Sequence, residues 1–145
     1  MKIKIMAVLL LAVATVFSGV SCRNDSASVK IGISIPSADH GWTGGVVYWA
    51  EQAKKDIQAA NPGVEVIVAS AKDSAEQVDQ IERMLVQGIK NLVILPNEPA
   101  PLLNVCKKAK EQGVGLIVVD RGLPEAIEDI TVVGNNKAFG ATAAK

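Results

Sequence analysis

The segment LVILPNEPAPLLNVCKKAKEQGVGLIVVDRG, residues 92–122, decides the fold. Leu92 to Leu95 is a short apolar run closed by Pro96, the mark of a buried strand rather than of a helix. Pro99 and Pro101 can stand in the first turn of a helix, where backbone amides have no intrahelical acceptor to lose. Leu102, Leu103 and Cys106 then share one face, the helix runs to about Gln112, and Gly113 stops it. Gly115 to Val119 is a second apolar, β-branched run. Strand, helix, strand in this order is the building unit of a parallel sheet, because parallel neighbours need a crossover connection between them.

The same unit recurs toward the N-terminus. Val29 to Ile35 reads as strand one, and Gly44 to Ala60 as helix one, with Val46, Ala50, Ala53, Ile57 and Ala60 on one face. Asn61-Pro62-Gly63 is a turn, and Val64 to Ala69 is strand two. Ser74 is placed to cap helix two, with Gln77 in the capping-box position three residues on. Ala75, Val78, Ile81 and Leu85 form the expected buried stripe, and Gly88 closes the helix. Beyond strand four, Ile130 to Val133 reads as strand five, and Asn135-Asn136 opens another helix. The fold class is therefore α/β, a doubly wound parallel sheet. Such sheets carry ligands beyond the carboxyl ends of their strands. The loops that matter are Pro36 to Thr43, Ser70 to Asp73, Pro96 to Glu98, Asp120 to Gly122 and Gly134 to Asn136.

Composition agrees with buried strands and Ala-rich helices: 49% of the residues are hydrophobic, yet aromatics amount to two Trp, one Tyr and two Phe. Net charge is zero and no basic cluster exists, which argues against nucleic acid as a partner. Residues 1–22 form a segment of their own. Lys2 and Lys4 make a positive front, Ile5 to Phe17 is apolar apart from Thr15, and Ser18 to Ser21 are mostly small residues before Cys22. Basic front, apolar middle and small-residue cleavage region make a secretory signal peptide, with an apolar run too short for a comfortable membrane span. Its removal leaves 13 basic residues against 15 acidic, since Lys2 and Lys4 leave with it. Ser21-Cys22 resembles a bacterial lipobox, although Gly19 stands where that pattern usually has Leu. The resemblance implies lipid attachment at Cys22 and a tether over residues 23–28. Cys106 is the other cysteine and reads as a small buried hydrophobe; no internal disulfide and no Cys/His metal spacing follow.

Three stretches in sequence order carry a family resemblance: Asp39-His40-Gly41-Trp42, Ile117-Val118-Val119-Asp120-Arg121, and Val133-Gly134-Asn135-Asn136 before Ala138-Phe139-Gly140. Together, from Val29 to Lys145, they resemble the ribose-binding-like family of type 1 periplasmic solute-binding proteins. That family implies a flavodoxin-like lobe, two similar lobes closing on a sugar, and a length roughly twice that of this chain. On that alignment residues 29–134 are an incomplete sugar-binding lobe and residues 135–145 are the hinge crossing, with Asn135 at the hinge, and the start of a second lobe.

The resemblance also implies roles. Trp42 lays an indole against a sugar face, whose C–H groups suit a flat electron-rich partner. Trp49, in mid-helix, is expected to be packing. Asp120 and Arg121 match an acid–base pair for sugar hydroxyls, the carboxylate accepting and the guanidinium donating. His40 falls where the family has a polar ligand contact; Ser37, Asp39 and Asn97 complete the candidate set. Pro36 stands where some members carry a hydroxyl. The implied partners are a sugar ligand and an ABC transporter permease, with no cofactor.

A sensory or regulatory ligand-binding domain of the same fold is the alternative function, as is a truncated remnant without activity. An enzyme is disfavoured. No phosphate-binding Gly pattern follows a strand, Gly41-Trp42-Thr43-Gly44-Gly45 lacks the Lys of such a loop, and no acid pair or triad can be placed.

Overall fold

A computed structural model describes residues 29–144; the expected signal peptide, Cys22 and the expected tether lie outside the described residues. The elements run β1 (Val29–Pro36), α1 (Gly41–Ala60), β2 (Val64–Ala71), α2 (Ser74–Val86), β3 (Asn91–Ile94), α3 (Pro99–Glu111), β4 (Gly115–Val119), β5 (Ile130–Val132) and α4 (Asn136–Ala143). The five strands form one sheet in the order β2-β1-β3-β4-β5. Every neighbouring pair is parallel, with Val29 opposite Val64, Ile31 opposite Asn91, Asn91 opposite Gly115 and Ile117 opposite Ile130. The doubly wound α/β reading is confirmed.

Because side chains alternate along a strand, β2, β3 and β4 each feed two cores. On one face Leu92, Ile94, Leu116 and Val118 meet Ile81, Met84 and Leu85 of α2 and Leu102, Val105, Cys106 and Ala109 of α3. Ile81, Leu92, Ile94, Leu102 and Leu116 are fully buried here. Gly32 permits the close approach of α2, since a Cβ there would lie 2.8 Å from Met84 Sδ. On the other face Ile33, Ile35, Val66 and Leu95 meet the partly buried Val46, Val47, Ala50 and Ile57 of α1. One helix covers this side where two cover the other, and the β4–β5 connection, residues 120–129, which contains no helix, adds its Leu123 and Ile127 to the two-helix side. That connection is held instead by Asp129, whose carboxylate accepts from the Leu116 amide at 2.7 Å and pairs with Lys110. The Lys110 bond first, then the Leu116 amide, lowers the Asp129 pKa.

Several boundaries and roles differ from the sequence-based expectation. Helix α1 starts at Gly41, three residues early, so Trp42 and Thr43 stand in its first turn rather than in the preceding loop. β3 covers Asn91–Ile94, and Leu95 lies just past it. Ala60 is exposed. The cap of α2 is Asp73, not Ser74: the Asp73 carboxylate accepts from the Glu76 amide at 2.8 Å, which aims one residue's charge at otherwise unpaired N–H groups. Gln77 has left the capping-box role altogether and is fully buried, whereas Ala75 is exposed. The stripe is rotated because α2 turns Gln77, Ile81, Met84 and Leu85 inward. Trp49 is not core packing but 67% exposed, its indole edge-on to Tyr48 at 5.2 Å. The stop signals hold: Gly88 and Gly113 adopt φ of +79° and +75°, a left-handed conformation in which a Cβ is strained.

Truncating Leu92 to Ala is expected to cost about 2–5 kcal/mol of unfolding free energy, while Val86→Ala on the exposed end of α2 stays within about 0.5 kcal/mol; denaturant midpoints of the two variants measure the contrast. Burial, with a smaller contribution from the Glu128 charge, pushes the Cys106 thiol up to about 12. In a Cys22→Ser background Cys106 is therefore expected to react with a disulfide reagent at pH 8 only after unfolding; prompt reaction in the native state would contradict this burial.

Candidate functional site

Five strands pointing the same way deliver their exits to one edge, and the candidate residues sit on those exits. Pro36 is buried at the end of β1, and the Ser37 amide donates to Ala71 O at 2.8 Å, which binds the β1 and β2 exits together. Asp39 and His40 follow and are exposed. His40 is the N-cap of α1, with extended backbone. The cap bonding centres on Thr43, which is buried: its Oγ1 accepts from the His40 amide at 3.2 Å and donates to Asp39 Oδ1 at 2.8 Å. The Thr43 bond, aided by the nearby His40, holds the Asp39 carboxyl below the usual carboxylate range. Nothing singled out Thr43 in the sequence; its position three residues past the cap is the signal that would have found it.

Beyond β3, the Asn97 amide donates to Gln77 Oε1 at 2.8 Å. Beyond β4, Asp120 adopts φ of +63°, the sole non-glycine with positive φ among the described residues. Asp tolerates the left-handed region better than most side chains, yet the conformation persists only where its surroundings enforce it. Here the Asp120 amide donates to Val132 O of β5, and the Arg121 amide donates back to Val119 O, both at 2.8 Å. The chain is thereby turned out of β4 within one residue. Asp120 and Arg121 do not pair with each other. The Arg121 guanidinium instead reaches across to Asn97, its Nη1 donating to the carbonyl at 2.6 Å. The carboxylate of Asp120 and the remaining guanidinium N–H groups face solvent, both residues being exposed. Asn135 caps α4, its Oδ1 accepting from the Ala138 amide at 3.0 Å.

Trp42 is 51% exposed. It borders an apolar groove of about 550 Å³ between α1 and the sheet, with Trp49, Val46, Ile35, Leu95 and Val119 among its walls. Those walls carry no charged or hydroxyl side chain to orient a polar ligand. The polar groups lie along the edge of strand exits, so the edge and not the groove is the candidate site. Trp42 lines the groove and stands in the first turn of α1, two residues past His40. Among the described residues no group of three His, Cys, Asp or Glu side chains could hold a metal ion, and no helix is long and apolar enough to cross a membrane.

A parallel lobe with its polar edge at the strand exits defines a ligand-binding domain of the doubly wound class. Residues 31–145 match the family model of the periplasmic binding protein domain, and the chain belongs to that family. It is 34% identical over its whole length to the D-xylose-binding periplasmic protein of Haemophilus influenzae. Over 65% of its length it is 36% identical to the D-xylose-binding periplasmic protein of Escherichia coli. The chain spans 42% and 30% of the lengths of these two relatives. Among solved structures, a solute-binding protein of an ABC transporter from Clostridium phytofermentans with bound β-D-glucose superposes with a TM-score of 0.68 at 27% identity, covering 78% of this chain and 34% of that one. A Caulobacter myo-inositol-binding protein gives 0.65 at 25%, covering 82% and 39%. These relatives are binding proteins for sugars and a cyclic polyol, and the type 1 periplasmic resemblance read from the three motifs is shown.

Thr43→Val removes the hydroxyl that bonds Asp39 and is expected to raise the Asp39 pKa toward the unperturbed carboxylate value, read from the pH titration of its carboxyl carbon by NMR. A depressed carboxylate pKa stabilises the folded state at higher pH, and that contribution is lost as pH falls through the folded-state value. The variant is therefore expected to lose part of the acid sensitivity that the wild type shows over that window.

Proposed function

We propose that the protein is an extracytoplasmic solute-binding protein that captures a monosaccharide or similar polyol for an ABC importer. The observation that carries this reading is the strand-exit edge, where Asp120, held at positive φ, and Arg121, tied to Asn97, stand with free hydrogen-bonding capacity in a family whose named relatives bind sugars. Asp120 would accept from adjacent sugar hydroxyls and Arg121 would donate back to ring and hydroxyl oxygens. Trp42, half-exposed beside them on the first turn of α1, would stack on the apolar face of the sugar. His40, Asp39, Ser37 and Asn97 supply further polar contacts. With two curated relatives named for D-xylose, an aldopentose is the first ligand to try.

In this reading residues 1–22 direct export, Cys22 takes the lipid, residues 23–28 tether the protein to the membrane and residues 29–134 form the first lobe. Residues 135–145 make the hinge, with Asn135 at the crossing, and lead into a second lobe that closes over the sugar. The protein binds without chemical change, and its partner is the permease of the importer.

The test is calorimetric titration of the full-length protein with D-xylose, D-ribose, D-glucose and myo-inositol. Arg121→Ala is expected to weaken binding by about 2 kcal/mol or more, because closure then buries sugar oxygens and the Asn97 carbonyl without the guanidinium that would donate to them. Trp42→Ala is expected to cost about 1–3 kcal/mol and to abolish most of the tryptophan emission change on ligand addition. Asp120→Gly separates fold from function: it relieves the left-handed backbone and leaves stability unchanged or raised by up to about 1 kcal/mol, while sugar binding is lost. A panel with no binding to any member, or wild-type affinity in Arg121→Ala, would overturn the reading.

A further inference from the structure

Gln77 is a polar residue with no exposure at all, on the helix face that packs against the sheet. Its side chain touches one strand, β1, and two residues of one strand exit, that of β3. Nε2 donates to Ser34 Oγ of β1 at 3.2 Å and to Leu95 O at 2.9 Å. Oε1 accepts from the Asn97 amide at 2.8 Å. Both N–H groups and the oxygen of one amide are therefore occupied. An apolar side chain of this size would fill the same volume but would leave the Leu95 carbonyl and the Asn97 amide without partners. What the amide adds is direction.

The segment Leu95 to Asn97 has left the β3 ladder, and Pro96 has no N–H to offer. The Leu95 amide still bonds to Ser34 O at 3.0 Å, but the Leu95 carbonyl and the Asn97 amide point away from the sheet's own ladder. Gln77 takes both. On the far side of the same residue, the Asn97 carbonyl receives Arg121 Nη1 at 2.6 Å. Asn97 is thus held from the core through its N–H and presents its oxygen to the guanidinium at the edge.

We propose that Gln77 is a positioning residue for the ligand edge: its buried amide sets the backbone of Asn97 and, through that carbonyl, the orientation of Arg121. This rests on the reading of Arg121 as a ligand residue. A guanidinium held in its binding geometry beforehand loses less freedom when the sugar arrives, so the clamp raises affinity without touching the ligand.

Gln77→Met keeps the volume and deletes the three bonds, whereas Ser34→Ala deletes one and leaves Asn97 clamped. In the full-length protein, well below the unfolding midpoint of each variant, Gln77→Met is expected to bind sugar about tenfold more weakly or worse, and Ser34→Ala to stay within about threefold. Exchange of the Asn97 amide proton is expected to quicken in Gln77→Met but not in Ser34→Ala, with the amides of Leu92 to Ile94 unchanged in both. Should Gln77→Met not fold, Gln77→Glu replaces it; kept neutral by burial, its carboxyl accepts from the Asn97 amide through one oxygen and donates to the Leu95 carbonyl through the other, and affinity is expected within about threefold of wild type. Equal affinity in Gln77→Met and Ser34→Ala, or unchanged Asn97 exchange, refutes the clamp, as does a folded Gln77→Glu with affinity lost. If the wild type binds no sugar, the functional reading fails alone, and Asn97 exchange still decides whether the clamp exists.

Discussion

Parallel strands cannot be joined by tight turns, so each connection must cross the sheet and begin again at the same end. The rest of this molecule depends on that constraint. It places helices over the sheet, which is why the strands read as continuous apolar runs and not as alternating ones. It also sends every strand exit to one edge, which is why residues far apart in sequence, from Ser37 to Arg121, share one border. The site is a by-product of topology before it is a matter of particular side chains.

Loops that leave a ladder need other acceptors and donors for their backbone groups. Here short polar side chains supply them. Thr43 closes the first turn of α1 onto Asp39, Asp129 holds the β4–β5 connection to β4 and α3, and Gln77 holds the exit of β3. Asp120 is the reverse case. Its backbone is forced into the left-handed region by two hydrogen bonds to β4 and β5, and the result is a carboxylate and a guanidinium turned outward at the strand end. Strain of this kind is tolerated where geometry matters more than stability.

The two faces of the sheet are unequal. α2 and α3 together bury their side to completion, with Leu92, Ile94, Leu116 and Val118 shielded from solvent. α1 alone covers the other, and an apolar groove remains along Val93, Leu95 and Val119. The exposed Trp49 belongs to this asymmetry, since an indole in mid-helix packs only where a second element stands opposite it. The chain spans less than half the length of its curated relatives, and the groove lies on the less covered face.

By itself the sequence determined the order and kind of the elements, because apolar runs of strand length, Pro at helix starts and Gly at helix ends act locally. It also determined which loops would form the edge, since parallel topology follows from the alternation of strand and helix. The family followed from three short motifs, each placed at a strand exit. What only the tertiary structure decided were the contacts between residues distant in the chain. Asp73 rather than Ser74 capping α2 turned on one residue of helix phase, and the same rotation buried Gln77 and exposed Ala75. Trp49 read as packing because helical spacing shows which residues share a face but not whether anything covers it. Asp120 and Arg121 read together as an acid–base pair for sugar hydroxyls, but the contact of Arg121 with the Asn97 carbonyl, across two strand exits, could not be read from spacing. Local propensities are set by the residue and its near neighbours; helix phase, coverage and partner choice are set by packing across the sheet, which sequence spacing does not encode.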